Sequence, residues 1–207
     1  MHSCYSVDSS ITPEELVFYA RRCGLDGVAV TDHDRLEGAL KIVREADFLV
    51  LPGVEVISSD GHVVGLNVRE SIPRGLTATE TVDKIHESGG IAVACHPVGL
   101  FKGGLGKLAN SKFDAVEVIN SSAIPFGYTV RQNERIASHL GKARVAGSDA
   151  HYGPEIGYAY TLVEAETNAD DIVKAIRRGL CQPFGRAIPM TMRFKRMFAV
   201  RTKRFQF

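Results

Sequence analysis

The sequence predicts an α/β fold, and three observations carry that reading. Short apolar runs alternate with amphipathic stretches of helical period, helix start and stop signals bracket those stretches, and the residues able to do chemistry fall just after the apolar runs. Alternation of this kind builds right-handed parallel βαβ units. Six or seven such strands are more than a small doubly wound sheet needs, and they fit closure into an irregular barrel.

The first helix is announced by Thr12-Pro13-Glu14-Glu15: Thr as N-cap, Pro at the first helical position, and Glu15 closing a capping box. It runs through Leu16, Tyr19, Ala20 and Cys23 and stops at Gly24. A short strand over 27–31 leads to Asp32-His33-Asp34, and a helix near 36–46 to the apolar runs 48–51 and 53–57. Asp60-Gly61 signals a hairpin that returns along 62–66. A helix over 79–87 precedes a buried strand over 91–95 that ends in His96-Pro97, and 115–119 is the next strand. A helix over 128–140, closed by Gly141, gives way to a strand over 143–147 and then Ser148-Asp149-Ala150-His151. A strand near 159–163, an Asn168-capped helix to Arg178 and a short strand over 180–184 complete the pattern.

After Pro189 the composition changes, and residues up to Phe207 interleave bases with Phe and Met. Residues 1–187 are thus expected to form one domain, and 188–207 a basic-aromatic tail that packs its Phe and Met side chains on the barrel. Contact with RNA, a membrane surface or a partner is the other use of such a tail.

The chain has 207 residues, with 25 Lys+Arg against 24 Asp+Glu. That length suits a single domain, and the near-zero charge argues against a design for binding polyanions overall. No apolar run reaches the ~18 residues of a membrane span, and no basic-then-apolar leader is present, so the expected compartment is the cytoplasm. The cysteines Cys4, Cys23, Cys95 and Cys181 form no CxxC pair, which excludes zinc-ribbon and thioredoxin chemistry. Cys95, inside an apolar run, reads as a buried, inert thiol.

Histidine is the unusual component. In parallel α/β folds functional groups gather at the carboxyl ends of the strands. His33, His96 and His151 each follow a predicted strand, and so does Asp149. Glu55 sits near the end of its strand, His62 faces it across a tight turn, and His2 and Asp8 flank the first loop. These side chains are expected to converge on one rim, where imidazole and carboxylate are the ligands of zinc, manganese or iron. His86 and His139, on helices, are expected to be ordinary surface or packing residues.

His2-Ser3, Thr31-Asp32-His33-Asp34, Gly53-Val54-Glu55, His62-Val63-Val64-Gly65-Leu66, His96-Pro97 and Ser148-Asp149-Ala150-His151 together resemble the ordered motifs of the PHP (polymerase and histidinol phosphatase) superfamily. The resemblance extends to about Phe184. It implies a distorted seven-stranded β/α barrel holding two or three divalent metal ions, Mn, Zn or Fe. It also implies ligand roles: His2, Glu55 and Asp149 for one metal, Glu55 bridging to a second held by His62 and His96, and Asp8, His33 and His151 around a third. Asp32 and Glu117 are expected to orient ligands rather than bind metal. One departure stands out: the family motif begins His-x-His, and here Met1 occupies the x position, so either the first histidine lies in a segment ahead of residue 1, the favoured expectation, or the protein lacks one ligand of its first metal.

The activity implied is metal-dependent hydrolysis of a small phosphomonoester or nucleotide-type ester by a metal-activated water, with no side-chain nucleophile. Lys102, in a glycine-rich loop, is the candidate phosphate clamp, with Arg131 and Arg135 behind it. The expected partner is a small phosphorylated substrate; nucleic acid is compatible but not required, and no membrane is implied. The competing readings are a non-catalytic RNA-binding scaffold of the ribonuclease P subunit type and an amidohydrolase-like metal hydrolase.

Overall fold

Six strands follow one another across a single curled sheet in chain order: β1 (Gly27–His33), β2 (Leu49–Ile57), β3 (His62–Leu66), β4 (Ile91–Ala94), β5 (Ala115–Asn120) and β6 (Ala143–Gly147). This is a computed structural model, described over residues 1–99, 104–106, 109–110 and 112–203. β1–β2, β4–β5 and β5–β6 pair parallel, whereas β3 is antiparallel to both its neighbours. Every strand but β3 therefore ends at the same rim, and β3 begins there.

Helices α1 (Pro13–Arg22), α2 (Glu37–Glu45), α3 (Ala78–Glu87), α4 (Phe126–Leu140) and α5 (Ala169–Arg177) alternate with the strands. The local signals act as expected. Thr12 and Glu15 exchange side-chain-to-backbone hydrogen bonds of 3.2 and 3.1 Å, a complete capping box at the start of α1. Gly141 ends α4 in the left-handed region, at φ 62°, where a Cβ would be strained. The runs 48–51 and 53–57 form one strand, because Pro52 is accommodated within the ladder opposite Val30.

Two apolar layers hold the sheet. Leu16, Val30, Ile42, Val54, Ile85 and Phe113 fill the layer between sheet and helices, and Leu51, Val64, Val93, Val145 and Ile176 fill the concave side. Successive residues alternate between the layers, as the pleat requires.

The resemblance led to the expectation of a distorted seven-stranded barrel; among the described residues the main sheet has six strands, curled into a half-barrel. Strands β7 (Ala159–Val163) and β8 (Cys181–Gly185) instead pair antiparallel with each other. Where β7 meets β6 the contact runs through a side chain: the Thr161 hydroxyl accepts from Ala146 N at 2.9 Å and donates to Ala146 O at 3.1 Å.

The tail forms α6 (Met190–Lys203). Its contact is polar: the Arg193 guanidinium donates to the carbonyls of Ile188, Ser121 and Ser122 at 2.9–3.1 Å, and Arg196 donates to Ser122 Oγ at 3.2 Å. Met190, Phe194, Met197 and Phe198, expected to pack inward, are instead more than half exposed.

Candidate metal centre

Strand alternation decides which side chains reach the rim. His33 ends β1 on the concave face, Glu55 follows Leu51 on that face of β2, and Glu117 follows Ala115 on β5. His62 shares the face of Val64, and because β3 runs backwards it opens at the rim, paired with Ile57. His96 and Asp149 lie just past β4 and β6, both at positive φ, 30° and 51°. These left-handed turns re-aim side chains that a continuing strand would send elsewhere.

The result is one cluster of imidazoles and carboxylates. Glu55 is its hub: Oε1 lies 2.6 Å from His62 Nδ1 and 3.4 Å from His96 Nε2, and Oε2 lies 3.2 Å from His2 Nε2. His2 Nε2 also lies 3.3 Å from Asp149 Oδ1. Beside this group, Asp8 Oδ2 sits 3.1 Å from His151 Nε2 and 3.4 Å from His33 Nε2. The His2 ring joins the two halves, its centroid 4.2 Å from that of His151 and 4.6 Å from that of His33. His2, Asp8, His33, Glu55, His62, His96, Asp149 and His151 thus all fall within metal-ligand reach of partners in the cluster.

Other sequence candidates fall elsewhere. Lys102 lies outside the described residues. Arg131 and Arg135 are on the exposed face of α4, and His139 is exposed on the same helix. His86, on α3, pairs with Asp114 at 2.7 Å. Asp32 is fully buried, and its carboxylate accepts from both Ser3 N and Ser3 Oγ at 2.6 Å, holding the loop that carries His2. Glu117 accepts from His96 N at 2.9 Å and from Asn120 Nδ2 at 3.1 Å.

Electrostatics follow from this packing. Burial disfavours the His2 imidazolium, but hydrogen bonds to Asp149 and Glu55 and their charges outweigh it and raise the group to about 10. Burial likewise works against ionised Glu55, and its imidazole neighbours overcome it and hold the carboxyl well below its usual range. Asp8 is depressed against burial by His151 and His33. Glu117 moves the other way, pushed up chiefly by burial and also by the charge of Asp149.

Three residues escaped the sequence reading. Cys95 faces the cluster, its thiol within ligand reach of Glu55 and His96. Asn120 Nδ2 bridges Glu117 to Asp149 Oδ2 at 3.4 Å, a role its place at the end of β5 could have signalled. Glu155 is fully buried and accepts from His151 N at 3.0 Å, with nothing in its local sequence to mark it.

The donor set fits divalent cations. Carboxylates and imidazoles converge with their donor atoms facing one another, and the Nδ1 atoms of His2, His33 and His96 are buried without a hydrogen-bond partner. Buried polar atoms are seldom left unpaired, so these nitrogens mark a site arranged for something other than its own protein neighbours.

Comparison with known proteins gives the family. Residues 128–181 match the family described as PHP-associated. The fold is similar to that of a two-domain protein of Bacteroides vulgatus containing a predicted PHP-like metal-dependent phosphoesterase, with TM-score 0.72 at 16% identity over 90% of this chain and 63% of that one. The uncharacterized protein MJ1587 of Methanocaldococcus jannaschii is 36% identical over 118 residues, 55% of this chain and 69% of that protein. The chain belongs to the PHP superfamily. The PHP fold here is also similar to that of an amidohydrolase from Chromobacterium violaceum with bound sulfate and no metal, with TM-score 0.62 at 17% identity over 87% of this chain and 95% of that one. This PHP chain spans less than two thirds of the Bacteroides two-domain protein. Among its described residues no helix is long and apolar enough to cross a membrane.

Proposed function

We propose that this PHP chain is a metal-dependent phosphoesterase acting on a small phosphomonoester or a nucleotide-type phosphate. The observation that carries the reading is Glu55, a buried carboxylate whose two oxygens face different imidazoles, as a carboxylate bridging two cations requires. His2, Glu55 and Asp149 would hold one ion, Glu55, His62 and His96 a second, and Asp8, His33 and His151 a third. When bound, such ions lower the pKa of water to the neutral range and neutralise charge on phosphoryl oxygens.

The chain's own residues hold that arrangement. Asp32 fixes Ser3 and with it the loop of His2. Glu117 holds the His96 backbone, and Asn120 ties Glu117 to Asp149. Glu155 fixes the backbone of His151. The hydroxyls of Ser3 and Ser6 are committed to Asp32 and Asp8, which supports hydrolysis by water over a serine-bound intermediate. Arg193 is committed to three backbone carbonyls and is not a free phosphate clamp.

The test is metal analysis of purified protein, with mono- and diester phosphate assays in added manganese or zinc and an amide substrate panel alongside. Phosphoester cleavage that disappears in Glu55→Gln is the expected result. Metal-loaded protein that cleaves amides alone, or nothing, overturns the reading. RNA binding that survives chelation, in protein that cleaves nothing, points instead to a non-catalytic scaffold.

A further inference from the structure

The Cys95 thiol is buried, as expected of a core group, and it also lies beside the candidate metal centre. On β4 the alternation that puts Val93 in the concave layer puts Cys95 there too, one step closer to the rim. Strand geometry alone would then send His96 to the opposite face. The left-handed turn at His96, φ 30°, breaks the alternation, and both neighbours come to bear on the same carboxylate. One donor atom from each of Glu55, Cys95 and His96 lies within 4.8 Å of the others. All three residues are buried, and His96 Nδ1 has no hydrogen-bond partner. Cys95 and Glu55 also line a cavity of about 500 Å³ on the concave side, so the position can be approached from beneath the rim.

We propose that Cys95 is a further ligand at the position of Glu55 and His96, which makes that position selective for a thiolate-accepting cation such as zinc over manganese or magnesium. This rests on the metal-centre reading above. Soft sulfur donors favour zinc and cobalt, whereas manganese and magnesium prefer an all-oxygen or oxygen-and-imidazole set. Binding forms a sulfur–metal bond and releases the thiol proton to solvent; no electron is transferred. The thiol donates to Glu117 Oε2 at 3.6 Å, a long contact that it would give up on losing its proton.

The experiment titrates cobalt(II) into metal-stripped full-length protein in which Cys4, Cys23 and Cys181 are replaced by serine, leaving Cys95 as the sole thiol. The expected spectrum has visible ligand-field bands together with a near-ultraviolet thiolate-to-cobalt charge-transfer band. In Cys95→Ser the charge-transfer band should vanish while visible bands persist, and zinc affinity should fall about tenfold or more with manganese affinity unchanged. Visible bands without charge transfer in the sole-thiol protein overturn the assignment of Cys95 and leave the metal centre standing, whether or not Cys95→Ser folds. No cobalt bands at all overturn both.

Discussion

The backbone N–H of His96 donates to the Glu117 carboxylate at 2.9 Å, and that bond fixes a histidine whose φ is 30°. A left-handed conformation in a residue with a Cβ costs on the order of 1–2 kcal/mol and persists only where its surroundings enforce it. Glu117 fits because position 147 is glycine: a Cβ there would come within 2.5 Å of Glu117 Oε1. Glu117→Ala should therefore release His96 and weaken metal binding by about 10–100-fold without unfolding the sheet, as read by chelator competition. Gly147→Ala should reproduce part of the loss by displacing the same carboxylate. Unchanged affinity in both variants would dismiss the brace.

Asp32 supplies a stability prediction. Its two oxygens accept 2.6 Å bonds from one residue, Ser3, in a site without solvent access. Asp32→Ala strands both donors and should cost about 2–4 kcal/mol. Denaturant unfolding of the metal-free protein measures this directly. A loss below about 1 kcal/mol would mean that the His2 loop is held by other contacts.

The pH dependence should reverse with metal. In metal-free protein His2 is raised from 6.5 to about 10, so its charged form stabilises the fold fully below pH 6.5 and that contribution is lost as pH rises through about 10. Glu55, held well below 4.5, contributes above that value and loses its contribution as pH falls through its depressed folded value. Thermal unfolding of chelator-treated protein should show stability declining from pH 6.5 to 10, with a shallower decline in His2→Gln. With divalent metal the proton must leave His2 for the ion to bind, so metal affinity should increase over the same interval. Parallel slopes with and without metal would remove His2 from the ion's coordination.

α6 should behave as a helix held at a few points. Arg193 satisfies three carbonyls, while Met190, Phe194, Met197 and Phe198 point outward. Arg193→Ala should loosen the helix by about 1–3 kcal/mol, with faster amide hydrogen exchange across 190–203 and little change in the sheet. Exchange that is unaltered there would show that the remaining contacts suffice.

What could be read ahead of the structure was mostly local. The capping box at Thr12 and Glu15 and the stop at Gly141 need only neighbours along the chain. Asp60-Gly61 sets His62 near Glu55 because a tight turn fixes register. The metal-donor candidates were legible because strand ends share one rim whatever the details of closure. What failed depended on distant partners. Cys95 is buried, as expected, but its place beside Glu55 and His96 was not legible, because strand alternation says which face a side chain takes and nothing about what else occupies it. The six-strand count could not be read locally either, because the meeting of β6 with β7 runs through the Thr161 hydroxyl and the backbone of Ala146, fifteen residues away. The tail failed because the carbonyls that receive Arg193 belong to residues 121 and 122, far back in the chain.

The reversed strand β3 also sets an order of assembly. Glu55 and His62 are seven residues apart in sequence, joined by a single hairpin, whereas the approach of His2 to Asp149 spans most of the chain. Closing a short loop costs less entropy than closing a long one, so the hairpin pair can meet while the rest of the sheet is still forming. The Glu55–His62 half of the cluster is thus expected to be the early half. The His2 loop, which must wait for β1, β2 and β6 together, is the latch that completes it.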